Sequence, residues 1–147
     1  MKPKKTVVYF LRAMGLLLIV LGLVHLAATP HIPALLGAAS TAMYRRAVGP
    51  TLLNHVLVGI LLLPLGYTTW LAAAGEERGE TWAGRVLIVN AMVMLALPVS
   101  VLVFMRQPEY YTSPLFLAGV GLVAIISVLM IAAVIALSRG RYTSQSR

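Results

Sequence analysis

Four stretches of this chain contain no Asp, Glu, Lys or Arg: residues 13–44, 51–75, 86–105 and 110–138. A helix needs about 20 mostly apolar residues to cross the hydrocarbon core of a bilayer. Each stretch is long enough to supply one span, so the sequence predicts four, near 7–28, 51–74, 84–105 and 114–137. A transmembrane β-barrel would read as short alternating segments, and lipid tolerates only helices or closed barrels. The composition agrees. The chain of 147 residues is 60% hydrophobic and 11% charged, against about half and about a quarter for soluble domains. Its apolar excess has to face lipid, and its length suits a single domain over 1–147.

The net charge of +8 invites a nucleic-acid reading. The positions of the charges argue against it. Lys2, Lys4, Lys5, Arg12, Arg78, Arg85, Arg139, Arg141 and Arg147 fall on one side of a four-span topology, and Arg45, Arg46 and Arg106 on the other. That bias predicts both termini and the middle loop in the cytoplasm. Some basic ends are also expected to touch anionic headgroups. The first span has a basic start, but its apolar run is long for a signal peptide and no good small-x-small cleavage site follows. It reads as an uncleaved signal anchor. The absence of cysteine excludes thiol–disulfide chemistry and thiolate metal sites.

The connections carry further expectations. Span 1 should stop before Thr29 and Pro30, because proline disfavours helix at the preceding residue. The outer segment 29–50 is long for a plain loop. It reads as a short interfacial helix from Pro33 to about Val48, with Leu35, Leu36, Ala39, Ala42 and Met43 on its apolar face. Gly49 and Pro50 are expected to end it. Residues 75–83 read as a loop in which Glu76, Glu77 and Glu80 form a solvated face. Residues 138–147 read as a disordered basic tail. Pro64 and Pro98 should kink their helices.

Glycine spacing predicts packing. Gly15 and Gly22 in span 1 are two turns apart, as are Gly59 and Gly66 in span 2. Each pair lines one face, and small residues on one face let membrane helices approach closely. Spans 1 and 2 should therefore pack as a tight antiparallel hairpin. Asn90, Ser100 and Ser127 read as interhelical hydrogen-bonding groups. Tyr67, Trp70, Trp82, Tyr110 and Tyr111 sit near span ends, as an aromatic belt would. Met92 and Met94 face different sides of their helix and read as packing residues.

No carboxylate falls within the predicted spans. That argues against proton-coupled drug export, di-iron carboxylate chemistry and paired-carboxylate hydrolysis. Three histidines remain on the outer side. His25 lies about one turn from the end of span 1 and His55 about one turn into span 2. An antiparallel hairpin would set them at similar depth. His55 falls within about 40° of the Gly59 and Gly66 face, and His25 about 60° from Gly22, at about 100° per residue. His31 follows in the outer segment, Asn54 precedes His55, and Glu109 and Tyr110 could reach the same mouth. Three readings stay open for these six residues. His25, His31 and His55 bind a metal such as zinc or copper; His25 and His55 ligate a haem or hydrogen-bond a quinone or another lipophilic ligand; or the histidines and Asn54 are structural, bonded to one another, to loop carbonyls or to water. No HExxH and no histidine pair at i, i+4 is present.

The run Phe10, Leu11, Arg12, Ala13, Met14, Gly15, Leu16, Leu17, followed by Leu21, Gly22, Leu23, Val24, His25 and Leu26, resembles the first helix of DoxX-like small bacterial membrane proteins. The resemblance covers the first helix only. It implies a four-helix fold and no particular activity.

The expectation is thus an all-α integral membrane four-helix bundle in a bacterial inner membrane. It would be a non-enzymatic accessory subunit or homo-oligomer that needs no cofactor and has the lipid bilayer as partner. The alternative is a haem, metal or lipophilic-ligand site at the outer mouth. A small transporter or channel is a further alternative.

Overall fold

The computed structural model describes residues 5–35, 42–104, 111 and 114–145. The described structure is all helical. In chain order come α1 (Lys5–Ala28), a 3-10 turn (Thr29–His31), α2 (Ile32–Leu35), α3 (Ala42–Arg78), α4 (Thr81–Phe104) and α5 (Pro114–Gln145). Four helical stretches are long and apolar enough to cross a membrane: Lys5–Ala34, Val48–Arg78, Thr81–Phe104 and Phe116–Ser138. In their most apolar windows only 28%, 39%, 28% and 28% of residues are buried. Large apolar side chains such as Leu57, Met92, Leu102 and Val128 therefore face outward on three different helices.

Two compact units make up the chain: Gly15–Tyr67, and Met1–Met14 with Thr68–Arg147. The first is a hairpin of α1 against α3, held by close backbone approach. A Cβ built on Gly22 would lie 2.9 Å from the Gly59 carbonyl oxygen, and one on Gly66 would lie 2.5 Å from the Gly15 oxygen. Gly22 opposite Gly59 and Gly15 opposite Gly66 is the antiparallel register that the glycine spacing predicts. Leu26 closes over Gly59, and Ile19 over Gly66. Interiors are close-packed, so a side chain in place of either hydrogen has nowhere to go.

In the second unit, side chains from four helices meet. Val8 and Leu11 of α1, Ala72 and Ala73 of α3, Ala83 and Leu87 of α4, and Ala133 and Leu137 of α5 form one buried cluster. Alanine is frequent here because small side chains allow close helix contact. Polar groups add bonds between helices. The Asn90 amide donates to the hydroxyls of Thr68 and Thr69, both at 2.9 Å. The Ser127 hydroxyl is shared between the carbonyls of Met94 at 2.8 Å and Val123 at 2.7 Å. Arg12 donates to Glu77 at 2.6 Å, tying α1 to the end of α3. Ser100, also read as an interhelical bonding group, is exposed.

Several boundaries differ from expectation. Gly49 and Pro50 do not end a helix: α3 runs through both. Proline removes one hydrogen bond and bends a helix, but the residues around it can carry the helix onward. Of the expected outer helix, Pro33 falls in the first turn of α2 and residues 42–48 form the first turns of α3, while its middle, with part of its expected apolar face, lies outside the described residues. Pro64 and Pro98 likewise sit inside continuous helices. Residues 75–83 are not an open loop. Helix α3 continues to Arg78 and stops at Gly79, which has φ +78°. The Gly79 N–H bonds to the Glu76 carbonyl and the Glu80 N–H to the Gly75 carbonyl, at 3.1 and 3.0 Å. This is a Schellman termination, which satisfies carbonyls that the helix end would otherwise orphan.

The acidic face changes accordingly. Glu76 is 6% exposed, Glu77 pairs with Arg12, and Glu80 accepts from Arg78 at 2.6 Å. The Arg78 bond holds the exposed Glu80 carboxyl below its ordinary pKa. At the other end, α5 continues to Gln145 where a disordered tail was expected. No proline interrupts it after Pro114.

Adding volume at the hairpin contact should be costly. Gly66→Val is expected to destabilise the protein by about 1–3 kcal/mol through overpacking. Gly119, where a Cβ would meet nothing within 4 Å, should accept alanine without loss. Thermal unfolding in one detergent compares the two. Equal stability of Gly66→Val and the native chain would remove the glycine contact as a determinant of the fold.

Candidate functional site

Two histidines meet at the end of the hairpin. His25 stands on the last turn of α1, and His55 on α3 about one turn beyond Gly59. The glycine contact brings the two helices together in a register that sets these positions side by side. Their ring centres are 4.6 Å apart, with 27° between the planes, so the imidazoles stack. Both residues are partly buried.

Hydrogen bonds assign the ring hydrogens. The Nδ1 of His25 lies 3.1 Å from the Leu21 carbonyl oxygen. A carbonyl can only accept, so His25 Nδ1 carries a hydrogen and donates it. The Thr29 hydroxyl donates to the His25 carbonyl at 2.8 Å. A hydroxyl has one hydrogen. At 3.1 Å from His55 Nδ1, the Thr29 oxygen must therefore accept, and His55 Nδ1 donates. In the neutral rings both Nε2 atoms are then the acceptors.

Nδ1 donors held by oxygen acceptors are the usual support for a histidine that ligates through Nε2. The stacking works against a single small ion, however. A lone pair lies in its ring plane, and stacked rings 4.6 Å apart keep the two lone pairs in separate planes rather than converging on one point. Among the described residues no three His, Asp or Glu gather to hold a metal. The arrangement is better suited to accepting two separate hydrogen bonds, or to ligation by one ring at a time.

Other residues expected at this mouth fare differently. His31 is exposed in the 3-10 turn, and Asn54 is exposed on α3. Adjacent helical residues point about 100° apart, so Asn54 does not share the face that His55 presents to His25. Glu109 and Tyr110 lie outside the described residues. Thr29, which bridges the two histidines, has a role that sequence reasoning missed, having read it only as a stop for α1. Its spacing of four from His25 was the available signal, because i and i+4 share one face of a helix.

No protein-family model matches this chain, and neither a curated protein nor a solved structure does so. The site is therefore defined by its own geometry.

Proposed function

We propose that this is a four-span integral membrane protein of a bacterial inner membrane. Both termini and the Gly79 turn would face the cytoplasm, and the protein would act without chemistry of its own as an accessory subunit or homo-oligomer. The observation that carries the reading is where its polar and apolar side chains go. Asn90, Thr68, Thr69, Ser127 and Arg12 are engaged in bonds between helices. The outward surfaces of the helices are apolar and open to lipid or to another helix. Kinship with DoxX-like proteins is proposed for the first helix alone.

The orientation can be tested directly, because the chain has no cysteine of its own. His31→Cys is expected to react with a membrane-impermeant maleimide in intact cells. Thr81→Cys should react only after permeabilisation. The opposite pattern would reverse the topology. Assembly is tested by particle mass in several mild detergents and in nanodiscs, where a species larger than one chain is expected. A strict monomer throughout would overturn the accessory or oligomeric role.

The stacked histidines favour a second reading, a ligand site at the outer mouth of the bundle. With both Nδ1 hydrogens committed, the two Nε2 atoms would take a lipophilic ligand bearing hydroxyl or N–H donors. A haem or a metal is the variant that engages one ring as ligand. Visible absorption, metal analysis and an organic extract of the purified protein should show a stoichiometric ligand, lost in His25→Ala and His55→Ala. A colourless, metal-free sample with an extract unchanged by either substitution would leave the histidines as a structural pair.

A further inference from the structure

A concave feature lies in the unit formed by Met1–Met14 and Thr68–Arg147. A groove of about 340 Å³ runs between the start of α4 and the last turns of the apolar part of α5. Its volume is at the low end of small-molecule pockets. One end is polar, with Thr81, Arg85 and Ser138. The rest is apolar, with Ile88, Val134 and Leu137.

We propose that this groove binds one anionic phospholipid, its phosphate against Arg85 and Thr81 and the upper part of an acyl chain along Ile88 and Val134. The inference rests on the membrane reading above and goes beyond it.

Three observations converge on that occupant. The first is charge. Among the described residues Arg12 is paired with Glu77 and Arg78 with Glu80, whereas no carboxylate pairs with Arg85. No carboxylate lines the groove either. An arginine presents a planar fork of donors that matches phosphate oxygens. The second is the order of polarity along the groove. Thr81 to Ile88 covers about 10 Å of helix. The headgroup layer is about 6 Å deep on each side of the hydrocarbon. The groove therefore passes from headgroup depth into acyl depth along its own length. The third is position. Arg85 and Thr81 are exposed, one turn apart at the beginning of an apolar helix. There a guanidinium can reach the headgroup layer while its stem covers apolar surface.

The test uses the full chain in nanodiscs of phosphatidylcholine containing a minor fraction of phosphatidylglycerol, read by mass spectrometry of the lipids retained on the released protein. The native chain is expected to keep one phosphatidylglycerol in preference to phosphatidylcholine. Arg85→Gln should lower that preference about fivefold, the effect of one arginine near an anionic surface. Arg85→Lys should keep most of it. Arg78→Gln, which removes the same charge from a paired arginine, should leave it unchanged. Excess inorganic phosphate should not displace the lipid; displacement would make the groove a site for free phosphate and overturn the proposal. Equal effects of Arg85→Gln and Arg78→Gln, or no preference in the native chain, would also overturn it. A chain that fails to enter nanodiscs, or washes off membranes at alkaline pH, would overturn the membrane reading itself, which is a separately visible result.

Discussion

The Gly15–Tyr67 unit depends on backbone approaching backbone. At Gly22 opposite Gly59, and again two turns away at Gly15 opposite Gly66, α1 and α3 approach until a carbonyl oxygen occupies the space of a missing Cβ. In an apolar surrounding, hydrophobic burial gives little reason for one helix to prefer another over lipid. Dispersion contacts and short polar bonds have to supply the preference. Two glycine pairs do this twice in the same register, which rules out a slip of the hairpin by one turn. Everything at its end follows: the histidines stack because the register leaves them level, and Thr29 can bridge them because α1 passes directly into a 3-10 turn.

The other unit relies on different means. Its contacts are alanine-rich, and polar side chains supplement them. Asn90 spends both amide hydrogens on two adjacent threonines of α3, and Ser127 splits its bond between its own helix and α4. Bonds of this type are worth about 0.6 kcal/mol on average within membranes, because the separated helices also find partners. Their contribution is to orientation more than to stability: an asparagine facing lipid would leave its amide unsatisfied. The Arg12 and Glu77 pair has side chains 30% and 42% exposed. It is therefore screened, and counts as a tether more than as a source of stability.

Much of this was legible in the sequence because it depends on counting. Charge-free runs long enough to span, glycines two turns apart, and His25 and His55 at matching distance from the hairpin end are all statements about spacing. What could not be counted was helix rotation. An error of tens of degrees separates a stacked pair from two rings facing lipid, and Asn54, next to His55 in sequence, is exposed on a different face of α3. Punctuation was also ambiguous. Gly49 with Pro50 looks like a stop and is not one. Gly75 and Gly79 both look like helix ends, but only Gly79 takes positive φ, while Gly75 is pressed against Ala83 and Trp82. The difference lies in packing with α4, which local sequence does not reveal. Glu76 appeared solvated for the same reason, since its burial follows from α3 extending beyond Gly75.

The Schellman joint has a consequence for how such a chain is made. Only Gly79 and Glu80 separate α3 from α4, and both backbone N–H groups are already bonded back into α3. No slack remains for one helix to settle before the other. During synthesis the two would have to be handled as a single folded pin, with α3 waiting for α4. The polar bonds from Asn90 to Thr68 and Thr69 would form within that pin before α5 emerges.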